Sequence, residues 1–280
     1  MIEIPEAVSL SSQVATHLIG KTVARVVAGA SPHKFAWFYG DPAGYAEIAR
    51  GLTVSGARAL GGMPEIALGA AGSAPVYLLV SEGMNVRYHD AGKPQPKKHQ
   101  LLLEFTDGSA LSASAQMYGG VGIYREGGNE NPYYLGSRDK PSPLSHEFDW
   151  AYFQGLLETT RGASVSAKAF LATEQRIPGL GNGVLQDILF EAGIHPKKKL
   201  DTCSEDELQR LFGAVRGVLA EMAKKGGRDT EPDLFGRPGG YRTRMSKNTV
   251  GSPCPRCGVA IEKASYMGGS VYFCPGCQAL

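Results

Sequence analysis

Four cysteines near the end of the sequence have the spacing of a metal site. Cys254 and Cys257 form one CxxC pair, Cys274 and Cys277 form a second, and sixteen residues separate the pairs. Two such pairs can place four thiolates around one ion, and a site with four protein ligands keeps no open position for a substrate. The spacing therefore predicts one structural zinc ion, with two disulfides or free thiols as the alternatives.

The segment around these cysteines is basic. Residues 236–280 contain six lysines and arginines but a single acid, Glu262, whereas the whole chain has a formal net charge of only +2. A local excess of this kind favours binding of a polyanion, and a solvated surface tail is the alternative. Because a segment of about 35 residues buries too little core to fold alone, we expect zinc to supply its folding energy.

A glycine-rich turn is the second feature with a chemical interpretation. Residues 176–183 lead directly into a predicted helix that begins near Val184. Gly179 and Gly181 would let the backbone approach a ligand closely, and the amides at a helix start favour a phosphate. Asn182 can cap the helix or donate to a phosphate oxygen. A plain joint between two helices is the alternative.

The first half of the chain is predicted to be β-rich. A short helix over residues 5–19 comes first, with Pro5 near its start. Apolar and β-branched runs then predict strands, and Thr106-Asp107-Gly108 predicts a hairpin turn between the last two. These strands cover residues 22–27, 76–80, 101–105 and 109–113. A generic β-sandwich without a function of its own is the alternative for this half.

The second half is predicted to be helical. Residues 126–143 are polar and rich in Gly, Pro and Asn, which indicates a domain boundary. Ser204 and Glu207 form a capping box at the start of the clearest helix. The predicted helices lie within residues 148–157, 184–192 and 204–225. A loop is predicted over residues 228–248, and two hairpin strands are predicted over 259–261 and 271–273. We expect domains at 1–130, 144–248 and 249–280.

Composition limits the class of protein. Hydrophobic residues make up 42% and charged residues 20% of the chain, which is typical of a folded domain protein. No apolar run is long enough to span a membrane, and the N-terminal residues do not resemble a signal peptide. The cysteines do not form the framework of a secreted disulfide protein. We therefore expect a cytoplasmic location.

The order of these motifs resembles a known family. A Glu3-x-Pro5-Glu6 start is followed by a β-rich region, the Gly-Leu-Gly-Asn turn ahead of residues 188–196, and the two CxxC pairs. This order closely resembles the formamidopyrimidine-DNA glycosylase and endonuclease VIII family over nearly the whole chain. The resemblance implies an α+β fold: an N-terminal β-sandwich with an N-terminal helix, a helix–two-turn–helix domain and a zinc-ribbon β-hairpin, with duplex DNA in the cleft between the halves.

The resemblance also implies an activity in base-excision repair. Enzymes of this family flip a damaged base out of the duplex, attack the sugar with an N-terminal amine to form a Schiff base, and then cleave at the abasic site. A terminal amine is less basic than lysine, so part of it is unprotonated near neutral pH. Glu3 matches the glutamate that acts as acid and base.

Other residues match family positions that contact DNA. Glu6 matches its family position, and Met84 matches a wedge that fills the gap left by the flipped base. Lys168 resembles a basic residue ahead of the turn. Asn182, with Gly181 beside it, matches an asparagine that contacts phosphate. The alternatives are that Met84 is a core residue, that Lys168 is a solvated charge, and that Glu3 and Glu6 only stabilise a helix N-terminus.

Four family positions have changed. Ile2 replaces the usual proline, so we expect Met1 to be retained and to carry the amine; Ile2 would offer the amine only if Met1 were removed. Residues 58–61 contain no lysine where the family has one. Residues 116–119 are Gln-Met-Tyr-Gly in place of two arginines and a phenylalanine. Gly269 stands at the position of a phosphate-binding arginine.

Two functions are therefore predicted. The first is a bifunctional DNA glycosylase and abasic-site lyase, a monomer that acts on damaged or abasic duplex DNA. The second is a family member that binds DNA without cleaving it, and structured RNA is a third, weaker possibility for the ligand. We expect association with the nucleoid when DNA is bound, and the loop over residues 228–245 to cover the flipped base.

Overall fold

The computed structural model describes residues 1–69 and 72–280. The helices within these ranges are α1 Ile4–His17, α2 Tyr45–Ala49, α3 Pro132–Asp139, α4 Trp150–Glu158, α5 Ala167–Ala172, α6 Val184–Ala192 and α7 Glu205–Lys224. The strands are β1 Val23–Ala28, β2 Ala36–Tyr39, β3 Thr53–Leu60, β4 Met63–Gly69, β5 Val76–Val80, β6 Met84–His89, β7 Leu101–Phe105, β8 Ala110–Ala115, β9 Gly119–Arg125, β10 Glu262–Tyr266 and β11 Gly269–Phe273.

Two sheets in the first half share one hydrophobic core. One sheet has the order β1-β7-β8-β6 and the other has the order β2-β9-β5-β4-β3, in which β2 runs parallel to β9. Leu78 of the second sheet and Leu103 of the first lie in the same buried cluster, together with Leu10 and Val14 of α1. The predicted β-sandwich with an N-terminal helix is confirmed, and the predicted bounds of β5 and β7 match.

Helices α4 to α7 enclose a second core. Phe153, Ile188 and Leu219 are fully buried in it. The capping box of α7 is present, because the Glu207 amide donates to the Ser204 hydroxyl and the Ser204 amide donates to the Glu207 carboxylate. Residues 228–248 form neither helix nor strand, as predicted for a loop.

The structure adds one helix to the predicted elements and moves one strand. Residues 126–143, which we expected to be a domain boundary, contain helix α3. The Asn131 side chain caps this helix by accepting a hydrogen bond from the Tyr133 amide. The Tyr134 side chain is buried and donates to the Glu65 carboxylate, so tertiary packing stabilises a helix of weak local propensity. The first strand of the C-terminal hairpin is β10, and not residues 259–261.

The N-terminus lies between the two cores. Ile4 belongs to the helical core, whereas Ala7, Leu10 and Val14 of the same helix belong to the sandwich core. The Ile4 amide also donates to the Gly179 carbonyl in the glycine-rich turn. The first residues of the chain are therefore held against the turn. Within residues 1–69 and 72–280, no helix is both long and apolar enough to cross a bilayer.

Candidate functional site at the junction of the two halves

A cavity of about 410 Å³ lies where the N-terminus, the glycine-rich turn and the tip of the C-terminal hairpin meet. Its lining includes Met1, Glu3, Lys168, Gly181 and Asn182, five of the residues named from the sequence. Gly269, at the hairpin tip, borders the same space. Ile2, Glu6 and Met84 do not line this cavity. They line a much smaller pocket behind the N-terminus.

Glu3 is anchored at the start of helix α6. The Gly183 amide donates to Glu3 Oε1 at 2.8 Å, and the Val184 amide donates to Glu3 Oε2 at 2.7 Å. A Cβ atom on Gly181 would lie 2.7 Å from Glu3 Oε1, so only glycine leaves room for this carboxylate. The helix-start amides that we predicted for a phosphate therefore bind Glu3, and Gly181 permits the close approach of the Glu3 carboxylate rather than of a ligand.

A buried arginine sets the charge balance around Glu3. Arg228 lies with Nη1 3.6 Å from Glu3 Oε2, and its Nε and Nη2 donate to Glu6 at 3.0 and 2.7 Å. Burial raises the pKa of Glu3, while Arg228 lowers it and Glu6 raises it further. A glutamate with a raised pKa holds a proton closer to neutral pH, as a general acid requires. Nothing in the local sequence indicated Arg228, because its partners lie more than 200 residues away.

Glu6 supports this site from behind the cavity. Its Oε2 accepts the Glu3 amide at 3.1 Å and its Oε1 accepts the Arg228 amide at 3.0 Å. The carboxylate is buried and tied to both neighbours. Glu6 thus stabilises the start of α1, which was the alternative given for it above.

The terminal amine is paired with Glu231. The Met1 amine donates to the Glu231 carboxylate, and the Met1 carbonyl accepts from Arg228 Nη2 at 3.1 Å. The Ile2 side chain is buried in the sandwich core with an exposed fraction of 5%. The core therefore fixes the backbone at position two, while Met1 keeps contact with the cavity.

Lys168 and Asn182 hold the tip of the hairpin. Lys168 Nζ donates to the Tyr266 carbonyl at 2.6 Å, and Asn182 Nδ2 donates to the Ser270 carbonyl at 3.1 Å. Burial lowers the pKa of Lys168. A Cβ atom on Gly269 would lie 3.3 Å from Lys168 Nζ and 3.6 Å from Asn182 Nδ2, so two nitrogen donors converge on the space beside this glycine.

The four cysteines form one cluster. Their sulfur atoms all lie within 4.8 Å of one another, with 3.8 Å between Cys254 and Cys277 and 3.3 Å between Cys257 and Cys274. A tetrahedral zinc site with bonds of about 2.3 Å has sulfur–sulfur edges of about 3.8 Å. All four thiols are free, and the donor set fits one metal ion.

Met84 is a core residue in this structure. Its side chain is 3% exposed and packs in the sandwich core. The structure thus places Met84 where the core alternative puts it, and the wedge role needs a side chain that can reach DNA. Met117, on the turn between β8 and β9, is 67% exposed and lines the cavity.

Glu82 is an acid of the cavity that sequence reasoning passed over. It lines the cavity with Glu3, and burial together with the negative charge of Glu3 raises its pKa to about 7. Its carboxylate has no hydrogen-bond donor among residues 1–69 and 72–280. No local pattern indicated it, since a lone Glu-Gly step between two strands resembles any turn.

Arg58, in the stretch 58–61 that contains no lysine, has a structural role. Arg58 Nε donates to Glu65 Oε2 at 2.6 Å, and the hydroxyls of Tyr124 and Tyr134 donate to the other oxygen of Glu65. This network ties β3, β4 and β9 to helix α3. The arginine is thus committed to a structural ion pair away from the cavity.

The comparisons with known proteins agree with this architecture. The chain is 29% identical to the formamidopyrimidine-DNA glycosylase of Symbiobacterium thermophilum over 99% of its own length and 89% of the relative. It is 28% identical to the protein of the same name from Chloroflexus aggregans over 100% and 99% of the two chains. No protein-family model matches the chain.

Solved structures show the same arrangement. The crystal structure of the MutM (Fpg) protein of Thermus thermophilus matches with a TM-score of 0.80 and 28% identity, covering 99% of this chain and 98% of that one. Lactococcus lactis Fpg in complex with abasic-site DNA matches in fold with a TM-score of 0.83 at 23% identity, over 99% and 100% of the chains. Over nearly its whole length, the chain is therefore similar in sequence and in fold to formamidopyrimidine-DNA glycosylases.

Proposed function

We propose that the protein is a DNA glycosylase of base-excision repair that removes damaged bases from duplex DNA. The observation that carries this proposal is the single cavity that Met1, Glu3, Lys168, Gly181 and Asn182 share. Relatives of the same fold have been solved with abasic-site DNA and with DNA that contains a formamidopyrimidine or an oxidised pyrimidine. We therefore expect oxidised bases to be the substrate class.

The reaction follows from the groups that border the cavity. The amine nitrogen would form a bond to the sugar C1′ as the glycosidic bond breaks, and the base would leave with a proton supplied by Glu3. Opening of the sugar ring then gives the Schiff base, and elimination would cleave the strand. Glu3 suits the proton transfer because burial raises its pKa while two amides and Arg228 fix its position.

The DNA contacts would come from three places. Lys168 and Asn182 would face phosphate beside Gly269, and the cysteine hairpin would carry further basic residues along the backbone. The loop over residues 228–245 borders a second cavity of about 200 Å³ next to α6, which would receive the flipped base. We propose the divisions 1–130, 144–248 and 249–280 as the working domains, a monomer as the active form, and the nucleoid as the place of action.

One structural zinc ion would organise the hairpin. Cys254, Cys257, Cys274 and Cys277 would hold it, and four thiolates would keep it from taking part in the reaction. Binding of the ion by these four residues would supply folding energy to this segment. The residues of the hairpin then present Gly269 and the basic side chains to DNA.

A specific observation favours the second function, DNA binding without cleavage. The Met1 amine is paired with Glu231, so it is not free for the reaction in this structure. DNA would have to displace the Met1–Glu231 pair before the amine could attack. The two candidate functions use the same cavity, and they differ in whether the Met1 amine becomes available for the reaction.

The test is borohydride trapping on duplex DNA that contains a formamidopyrimidine or an abasic site. The glycosylase predicts base release and a covalent adduct with wild-type protein, and the loss of base release in Glu3→Gln. Glu47→Gln, an exposed change on α2, is the matched control. Salt-dependent binding without release or adduct would instead establish the binding protein. Intact-mass analysis of the purified protein identifies which residue carries the amine.

A further inference from the structure

A third cavity, of about 400 Å³, adjoins the candidate active site on the side of the sandwich. Four aromatic side chains line it: Trp37, Tyr39, Tyr118 and Tyr133. Trp37 and Tyr133 are 41% and 57% exposed, although aromatic residues of this size are usually buried. The rings of Trp37 and Tyr118 are nearly parallel, at 10° with centroids 6.4 Å apart. The cavity thus offers flat aromatic faces to a ligand.

Two glycines of β9 leave room for aromatic side chains of this cavity. A Cβ atom on Gly120 would lie 2.1 Å from Trp37 Nε1, and a Cβ atom on Gly122 would lie 2.6 Å from Tyr39 Cβ. Because β2 pairs in parallel with β9, Trp37 lies opposite Gly120 and Tyr39 lies opposite Gly122. The two glycines therefore give the indole and phenol rings room to lie against the sheet.

Polar groups lie beside the aromatic faces. The polar residues that border the cavity are Ser81, Glu82, Asn131, Ser137 and Gln175. The Ser81 hydroxyl is already engaged, since it accepts the Gly120 amide at 2.6 Å. The Glu82 carboxyl, in contrast, has no donor among the residues that the structure describes, and its pKa is raised to about 7. A carboxyl near that pKa can accept and donate hydrogen bonds.

The aromatic cavity adjoins the candidate active site. Glu82, Tyr118 and Gln175 line both spaces, and the Tyr118 hydroxyl donates to Met1 Sδ at 3.3 Å. A flat ligand with a polar edge that is presented from the candidate active site can therefore reach the aromatic cavity. Among the parts of DNA, only a base that has left the helical stack has this shape and chemistry.

We propose that the aromatic cavity binds an unpaired nucleobase, which stacks on Trp37 and Tyr118 and places its polar edge against Glu82. This site is separate from the space under the loop over residues 228–245. The proposal rests on the proposed function only in that bound DNA delivers the base. A free nucleotide has the same base chemistry, so the experiment includes both sources.

The first arm compares two duplexes by fluorescence anisotropy at one fixed salt concentration. One duplex is fully paired and the other has a single unpaired nucleotide. Stacking of one base on an aromatic side chain changes affinity by about tenfold or more. We expect wild-type protein to prefer the unpaired duplex by this factor, and Trp37→Leu to lose the preference while its affinity for the paired duplex stays the same.

Phe35→Leu is the matched control. Phe35 is 55% exposed and lies two residues before Trp37, but it does not line the cavity. This variant should keep the preference. Far-UV circular dichroism and thermal unfolding of both variants show whether the fold is intact, and both side chains are exposed enough for it to survive. A preference that is equal in wild type and Trp37→Leu would overturn the proposal.

The second arm locates the base. A 5-iodouracil at the unpaired position is irradiated in the complex, and the crosslinked peptide is identified by mass spectrometry. The proposal expects adducts on Trp37, Tyr118 or Tyr133, and adducts confined to residues 228–245 would refute it. If neither duplex binds, the proposed function fails instead. Quenching of Trp37 emission by a nucleoside monophosphate in a Trp150→Phe background then tests the cavity alone, and no quenching would refute it.

Discussion

The difference in free energy of unfolding between Glu82→Gln and wild type should favour the variant more at alkaline pH than at acidic pH. The pKa of Glu82 is raised from 4.5 to about 7 by burial first and by the charge of Glu3 second. Between these values the folded state holds a proton that the unfolded state has released. The free energy of unfolding of the wild type therefore falls as the pH rises from 4.5 to about 7.

The size of the effect follows from the two pKa values. A rise in pKa from 4.5 to about 7 corresponds to a free energy of about 3 kcal/mol. Water at the mouth of the cavity screens part of this, so about 3 kcal/mol is an upper bound. Glutamine does not titrate. The free energy of unfolding of the variant should therefore increase relative to that of wild type across this window, and the difference should stay constant above about pH 7.

The assay is urea-induced unfolding, followed by circular dichroism between about pH 5 and about pH 8.5 at constant zinc concentration. Loss of metal at low pH affects wild type and variant equally and cancels in their difference. Glu47→Gln provides the cost of a Glu-to-Gln change on the surface. A difference between wild type and Glu82→Gln that stays constant over the whole range would refute the reasoning, because it would mean that the folded and unfolded states bind the proton equally.

Three further changes test other parts of the site. Arg228→Met should lower the free energy of unfolding by about 3–5 kcal/mol in urea because it leaves Glu3 and Glu6 buried without a cation, whereas exposed Arg50→Met should change little. Gly181→Ala should abolish base release in a folded protein because its Cβ displaces Glu3. The control Gly155→Ala, with no neighbour within 4 Å, should be neutral or add about 0.5–1 kcal/mol of stability. Equal base release by the two variants would contradict the role of Gly181 in positioning Glu3. Cys254→Ser should remove the one metal ion per chain that we expect elemental analysis to find in wild type, and a full metal content in the variant would exclude the four-thiolate site.

Local patterns in the sequence predicted helices α1, α4, α6 and α7 and strands β1, β5, β7, β8 and β11, whereas α2, α5, β2, β3, β4, β6 and β9 were not predicted as separate elements. The bounds of β5, β7 and α6, the capping box of α7 and the four-cysteine cluster all depend on residues close in the chain. Helix α3 was missed because Asn131 and the glycines around it resemble a linker. The stabilising contact of α3, from Tyr134 to Glu65, spans 69 residues and has no local signal.

The candidate site was predictable in its members but not in their contacts. Glu3 and Asn182 do border the cavity, yet Glu3 binds the helix amides that we predicted for phosphate, and Asn182 binds the hairpin backbone. Arg228 and Glu82 were missed because burial gives them their importance, and burial depends on the packing of both halves. A charged residue in a loop looks the same in sequence whether it is solvated or fully enclosed.

Two of the altered positions border the cavity, and neither carries a cationic side chain. Gly269 has no side chain, and the turn at residues 116–119 presents Met117 and Tyr118. The salt dependence of DNA affinity follows the number of phosphates that cations neutralise, whereas stacking on aromatic rings does not release counterions. Affinity in this protein should therefore depend more on contacts with unstacked bases and less on phosphate than the full set of family cations would give. The aromatic cavity beside Glu82 is where such contacts would form.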